Sequence, residues 1–387
     1  MSPPPLSVLD LVPVASGSTP GQALANTVDL ARRAEAAGYL RYWIAEHHLN
    51  PGVTGTTPAL VVGLVAAATE RIRVGSGAVL MGHHTPLAVV EQYGLLDALH
   101  PGRIDLGLGR SLLRRPGGAR RPRTDGERPA RPAPAARVTP EGLLIPPQFH
   151  MGELLRSPRY RLQGRMLQQP GAETPDYRDQ VADVLALLAG TYRAEDGTEA
   201  HVVPGEGAAL EVWVMGSSGG VSAEVAGARG LPFAANYHIS PSGVIDAVEA
   251  YRAAFRPSAR LDRPHVAVSC DAVVAPSDAE ARELATGYGL WVRSIRTAEG
   301  AIPFPTPDEA RAHAWSDEDR ALVQDRVDTQ FTGSPDTVAA RLDVLARATG
   351  ADEVVVTTIT HDHADRVRSY ELLARAWTGS TTPPGTR

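Results

Sequence analysis

The sequence predicts an α/β protein: a (β/α)8 barrel with a long insertion after the fourth strand and a shorter one after the seventh. Three observations carry this. Short apolar strand-like runs alternate with helical patterns along most of the chain, as in a parallel sheet covered by helices. Eight such runs can be found, the number that closes a barrel. The first strand–helix turn, VPVASGSTPGQA, lacks GxGxxG, which argues against a dinucleotide-binding open sheet.

Residues 6–13 (LSVLDLVP) form the first strand, and residues 20–38 carry Ala and Leu at helical spacing up to a terminal glycine. Residues 40–46 (LRYWIAE) are the second strand and 57–69 a helix of small apolar residues. Residues 73–80 (RVGSGAVL) read as one strand holding two glycines, 86–99 as a helix opened by proline, and 103–110 (RIDLGLGR) as the fourth strand. Regularity then breaks over 111–175, which is treated as an insertion in a single domain spanning 1–387. Its first part, residues 114–137, is so dense in Arg and Pro that it cannot build a core and is expected to be mobile. Its later part carries Leu, Ile, Phe, Met and Tyr, and residues 143–167 are expected to form a lid. Alternation resumes with a helix at 177–188, then strands at 210–218 (LEVWVMGSS) and 232–239 (PFAANYHI). A strand at 265–275 precedes a helix at 277–294 and an irregular stretch at 295–316. The chain closes with a helix at 335–348, a strand at 352–360 and a helix at 364–377.

Composition narrows the function. Net charge is −6, so no basic field suggests nucleic acid. No apolar run reaches the ~20 residues that span a bilayer, and the N-terminus lacks the basic and apolar regions of a signal peptide. Cys270 is the single cysteine, so no internal disulfide forms and a cytoplasmic location is the expectation. All 38 basic residues are arginine, which removes Schiff-base and P-loop lysine chemistry.

Glu46-His47-His48 closes the second strand. Adjacent side chains at a strand end point to opposite sides, so one imidazole faces a pocket, where it is suited to moving a proton near neutral pH. Arg110 follows Gly107-Leu108-Gly109, and a fixed cation with room around it suits a phosphate, or a carboxylate in an ion pair. MGSSGG (215–220) ends a strand and opens a helix, a place where backbone N–H groups bind anions. Glycines within 73–80 suggest a bulge or close backbone approach. His361-Asp362-His363 has no partner set at metal spacing, so no metal is expected. Cys270 lies mid-strand and reads as an inert buried thiol. Ala59, Gly63 and Ala67 make a small-residue stripe where another helix can approach.

Five motifs in order resemble the bacterial luciferase-like flavin monooxygenases: WIAEHH (43–48), RIRVGSGAVL (71–80), VVEQYGLLDALHPGRIDLGLGR (89–110), VMGSSGGVSAEVAGARGLPFA (214–234) and TGSPDTVAARLDVLARATGADEVVV (332–356). The resemblance implies a flavin-dependent monooxygenase that uses reduced FMN, supplied by a separate NAD(P)H-dependent flavin reductase, and O2 to oxygenate a small organic substrate. It implies His47 as the proton-handling residue, with Glu46 orienting an imidazole or pairing with an arginine, and His48 turned away. It puts a non-proline cis peptide at Gly77–Ala78 under the flavin ring. The FMN phosphate would lie on Arg110 and the loop bearing Ser217, Ser218, Gly219 and Ser222. Tyr237, His238 and Trp291 would line the substrate pocket, and the region of residues 57–67 would form a homodimer interface. The alternatives are a deazaflavin-dependent dehydrogenase or reductase on the same barrel, to which the arginines of the insertion would offer a docking surface, and a non-catalytic flavin-binding subunit.

Overall fold

The computed structural model describes residues 3–111 and 135–379. Eight parallel strands close on themselves: β1 (Leu6–Asp10), β2 (Arg41–Ile44), β3 (Arg73–Ser76), β4 (Ile104–Gly109), β5 (Glu211–Gly216), β6 (Phe233–Asn236), β7 (Val266–Val274) and β8 (Glu353–Thr357). Each pairs with its neighbours in order, and β8 returns to β1 with Val354 opposite Leu6. This is the (β/α)8 barrel expected from the alternation.

Strand alternation sorts the side chains into two cores. Leu6 and Val8 face outward into the layer shared with the helices, with Tyr42, Val74, Ile104, Leu106, Val212, Val268 and Val354. Leu9, Trp43, Trp213, Met215, Ala234, Ala267 and Val355 face inward and fill the barrel. Trp43 and Trp213 meet edge to face, centroids 5.0 Å apart. Bulk on these strands is accommodated by glycine on others: a Cβ on Gly107 would fall 2.1 Å from the Ser76 carbonyl oxygen and 2.6 Å from Met215 Cε.

The N-terminal end of the barrel is sealed by charge. Arg41 bonds Asp105 at 2.9 Å and Glu353 at 3.0 Å and also reaches Glu211, while Arg73 Nε reaches Asp105 Oδ1 at 2.8 Å. Burial on its own lowers the Arg41 guanidinium pKa, but its carboxylate partners outweigh that and raise it. This charge cluster fills the N-terminal end of the barrel, and a site built on the strand ends belongs at the opposite, C-terminal end.

Several elements differ from the sequence reading. The second strand stops at Ile44, so Glu46 and His47 lie beyond it on the loop. Residues 73–80 are two strands, Arg73–Ser76 and Val79–Leu80, separated by a cis peptide at Gly77–Ala78. The helix expected at 277–294 is two, Asp278–Leu284 and Tyr288–Arg296. A Cβ on Gly287 at the break would lie 2.9 Å from the Phe304 ring, so the chain turns there around Phe304. The irregular stretch holds the helix Pro307–Ala312, and the helix Asp317–Thr329 and strand Phe331–Gly333 were not anticipated. Residues 112–134, most of the Arg/Pro-rich segment, lie outside the described residues. No helix among the described residues is long and apolar enough to cross a membrane.

Gly63 of the small-residue stripe faces its own barrel: a Cβ there would lie 3.2 Å from Leu96 on the neighbouring helix Pro86–Leu99. What those two helices expose is leucine, with Leu60 70%, Leu95 56% and Leu99 74% accessible.

Candidate active site

The site is assembled where β2, β3, β4, β5 and β6 end. The Gly77 N–H donates to the Ile44 carbonyl at 2.7 Å, holding the cis Gly77–Ala78 peptide against the segment that leads into His47. The His47 N–H is itself tied to the Gly55 carbonyl at 2.7 Å. The His47 ring is half-buried, and its Nδ1 is sealed from solvent with no hydrogen-bond partner among the described residues. Burial lowers its pKa to about 4; the Glu46 carboxylate pulls the other way and His48 adds to the depression. The expectation of a group titrating near neutrality is thus corrected: desolvation outweighs the carboxylate, and the imidazole is neutral at pH 7.

Among the described residues Glu46 meets no arginine. Its Oε1 accepts from His48 Nε2 at 2.8 Å and from His84 Nε2 at 3.0 Å, and its Oε2 accepts from the Leu80 N–H at 2.8 Å. Burial raises its pKa, but these donors outweigh burial and hold the carboxyl at about 2. Glu46 is consequently a permanent anion that fixes the tautomers of two imidazoles and pins the Val79–Leu80 strand, which follows the cis peptide. His48 turns to this carboxylate.

The register of β4 and β5 sets Gly109 opposite Met215, so Arg110 leaves its strand beside Gly216. Arg110 is exposed, and no carboxylate among the described residues pairs with it. Ser217, Ser218 and Gly219 form the turn into the helix Val221–Ala228, whose N-cap, Gly220, supplies no side-chain cap. Gly219 packs against the helix Val244–Ala254, where a Cβ would fall 2.9 Å from the Asp246 carbonyl oxygen. Ser222 is buried in the first turn.

Tyr237 and His238 separate. Tyr237 belongs to the outer core, packed on Phe331 with centroids 5.9 Å apart, and its Oη donates to the Leu144 carbonyl at 2.7 Å. Its expected place in the substrate pocket is corrected: adjacent residues at a strand end face opposite ways, and the phenol serves to anchor the insertion. His238 turns inward. Its Nδ1 lies 2.5 Å from Ser269 Oγ, and burial first, then Arg326 and His47, lower its pKa to about 3. Its coupling to both groups sets it between the β2 loop and the helix Asp317–Thr329.

Trp291 lies in the inner cluster, stacked on Tyr288 at 6.2 Å, with its indole Nε1 sealed and without a partner among the described residues. Behind it is a buried group that sequence reasoning missed: Arg326 bonds Asp271 at 3.1 Å and Tyr288 Oη at 2.8 Å, and Tyr288 Oη donates to Asp271. Asp271 is inward by alternation, and burial raises its pKa against the pull of Arg326 and Tyr288. The signal was present in VAVSCDAVV, where an acid inside an otherwise apolar strand requires a buried partner.

The two histidines of the His361-Asp362-His363 segment have structural partners. His361 Nε2 faces the Ser16 carbonyl at 3.0 Å, His363 Nε2 faces Asp29 at 2.9 Å, and Asp362 caps the closing helix. Among the described residues no group of three or more His, Cys, Asp or Glu could hold a metal ion.

A family model described as luciferase-like monooxygenase matches residues 5–116 and 149–353. The chain belongs to the luciferase-like monooxygenase family. It is 33% identical to a luciferase-like monooxygenase of Escherichia coli (strain K12), with 95% of each chain covered. It is 35% identical to the Bacillus subtilis protein YvbT, with 96% of each covered. Among solved structures, apo-MsnO8 superposes with a TM-score of 0.76 at 30% identity, covering 97% of this chain and 98% of that one. The fold is also shared with two distant enzymes. One is the oxygenating constituent of 3,6-diketocamphane monooxygenase in complex with FMN (TM-score 0.62, 19% identity, 99% and 100% covered). The other is an F420-dependent secondary alcohol dehydrogenase (TM-score 0.60, 13% identity, 97% and 99% covered). The family match breaks at residues 117–148, within the insertion. This luciferase-like monooxygenase carries the ends of β2 to β6, where the candidate site lies, inside the matched stretches.

Proposed function

We propose that this protein is a flavin-dependent monooxygenase that binds reduced FMN at the C-terminal end of the barrel and uses O2 to oxygenate a small organic substrate. The observation that carries the reading is one juxtaposition. His47, whose buried Nδ1 has no partner among the described residues, follows the segment to which the cis Gly77–Ala78 peptide is bonded, and Arg110 leaves β4 beside Gly216, which leads into the uncapped helix Val221–Ala228. An isoalloxazine ring needs a flat, closely approached backbone and a polar group at its edge. A phosphate needs a fixed cation and backbone N–H donors. Both sets of residues fit.

Reduced flavin, when bound, supplies the two electrons that activate O2. The chain's own residues do the rest. Arg110, with Ser217, Ser218, Gly219 and Ser222, would hold the phosphate. Gly77 and Ala78 would support the ring. His47, neutral because it is desolvated, would offer a hydrogen bond at Nδ1 without bringing charge into the site. Glu46 keeps that loop and the cis segment in register through His48, His84 and Leu80. His238, Trp291 and the inner apolar cluster would line the substrate side, favouring a largely apolar molecule. Residues 143–167 would exclude water, limiting loss of reducing equivalents as hydrogen peroxide. An NAD(P)H-dependent reductase would supply the reduced FMN, and the exposed leucines of the helices Pro58–Ala68 and Pro86–Leu99 would pair in a homodimer.

The test is anaerobic titration with reduced FMN and, in parallel, with a reduced deazaflavin, followed by mixing with O2. Tight FMN binding and O2 consumption that depend on Arg110 and His47 support the reading. Binding of the deazaflavin alone, with no O2 consumption, would make the protein a hydride-transfer enzyme.

A further inference from the structure

The described part of the insertion is fastened around the mouth at four places. Leu144 is held by Tyr237 beyond β6, and Phe149 lies on the Arg296 guanidinium, 4.0 Å from its ring centroid, after β7. Arg159 reaches the loop after β2, and Gln168 donates to the Gly82 carbonyl at 3.0 Å after β3. Three of these are single contacts. The Arg159 contact is different in kind, because it ends on a hub.

Arg159 Nη2 donates to the Leu49 carbonyl at 2.6 Å and to Asn50 Oδ1 at 2.8 Å. Asn50 Oδ1 also accepts from the Ala301 N–H at 2.9 Å, and Asn50 Nδ2 donates to the His48 carbonyl at 2.9 Å. One amide thus joins the insertion, the 298–304 segment and the loop that carries His47 and His48. The seam continues through the Gly52 N–H to the Ala301 carbonyl at 2.6 Å. The backbone is shaped to admit the guanidinium. Gly300 has φ +84°, and a Cβ there would fall 2.4 Å from Arg159 Nη2. Leu49, whose carbonyl takes the arginine, adopts φ 54°. One guanidinium nitrogen donating to acceptors on two adjacent residues fixes direction as well as distance.

We propose that Arg159 and Asn50 are positioning residues that make the geometry of the His47 loop depend on the insertion being seated across the mouth. The pair touches no reacting atom. It couples exclusion of water to the placement of the imidazole, so that the site is complete only when covered. The insertion brings the arginine, and the barrel brings the asparagine and the glycine that admits it. The inference rests on the proposed site at His47, but its test needs no flavin.

The experiment is hydrogen–deuterium exchange on the full chain, wild type against Arg159→Met, Arg159→Lys and Asn50→Ala, with the His47 imidazole titrated by NMR. Arg161, exposed on the same helix, supplies an Arg161→Met control. The expected result is exchange at least tenfold faster in 158–166 and in 47–55 together for Arg159→Met and Asn50→Ala. The His47 pKa should then rise from about 4 toward 6.5 as water enters. Arg159→Lys should restore part of both, and the control neither. Faster exchange confined to 158–166, with 47–55 and the His47 titration unchanged, would overturn the proposal while leaving the flavin reading intact. Failure of the wild type to bind reduced FMN would overturn the flavin reading and leave the exchange result to stand on its own.

Discussion

Replacing His238 with asparagine should remove about 2 kcal/mol of acid sensitivity from the protein. The wild-type imidazole is buried, bonded to Ser269 Oγ, and held neutral with a pKa of about 3 against an ordinary 6.5. A base whose folded pKa is depressed takes up its proton in the unfolded chain first. Stability is therefore intact above the unfolded pKa and falls as pH drops from 6.5 toward 3. Between pH 7 and pH 5 the unfolded state goes from mostly neutral to nearly fully protonated while the folded imidazole stays neutral. The loss over that interval is about 1.9 kcal/mol. The figure barely changes for any folded pKa well below 5, so it depends on the direction of the shift and little on its size. Glu46, held at about 2, remains ionised in the folded protein throughout and adds only about 0.2 kcal/mol over this interval. The assay is urea unfolding of wild type and His238→Asn at both pH values. The variant's own cost appears equally at each pH and cancels in the difference. An unchanged pH 7-to-5 loss in the variant would refute the claim that His238 is buried neutral.

Three further outcomes are expected. Arg110→Ala should weaken binding of FMN at least tenfold while leaving riboflavin affinity within about twofold, since only the phosphate contact is lost; calorimetry with both ligands checks this. Arg41→Met should cost about 3–5 kcal/mol by urea unfolding, because buried Glu353 loses its one arginine partner among the described residues while Asp105 and Glu211 keep only Arg73. Leu60→Asp with Leu99→Asp should shift the protein from dimer to monomer in sedimentation velocity without altering its circular dichroism. Both side chains are exposed in the folded chain, so a change seen in the spectrum instead would place them in the core.

The order of barrel strands and most helix positions were legible because parallel-sheet strands are short apolar runs and their crossover helices carry a different period. The boundaries that failed did so for tertiary reasons. No local pattern marks the end of β2 at Ile44; the Asp10 carbonyl takes the Ala45 N–H and carries the chain onward. The break at Gly287 answers to Phe304, some seventeen residues away. Within the candidate site, EHH, the Gly77–Ala78 segment, Arg110 and the MGSSGG loop are legible as candidates because residue type and motif order point to them. Tyr237 was misplaced because NYH alone cannot say which side chain turns inward. His84, Arg326 and Asn50 were missed as site-supporting residues because each acquires its role from partners distant in sequence.

The class of fold, the family and the chemical types gathered at the strand ends follow from periodicity and from motifs local in the chain. What those groups are at pH 7 is set by packing. Glu46 is an anion because His48, His84 and Leu80 converge on it, and His47 and His238 are neutral because the barrel mouth desolvates them. Ionisation depends on dielectric surroundings and nearby charge, quantities that exist only once distant segments are packed together.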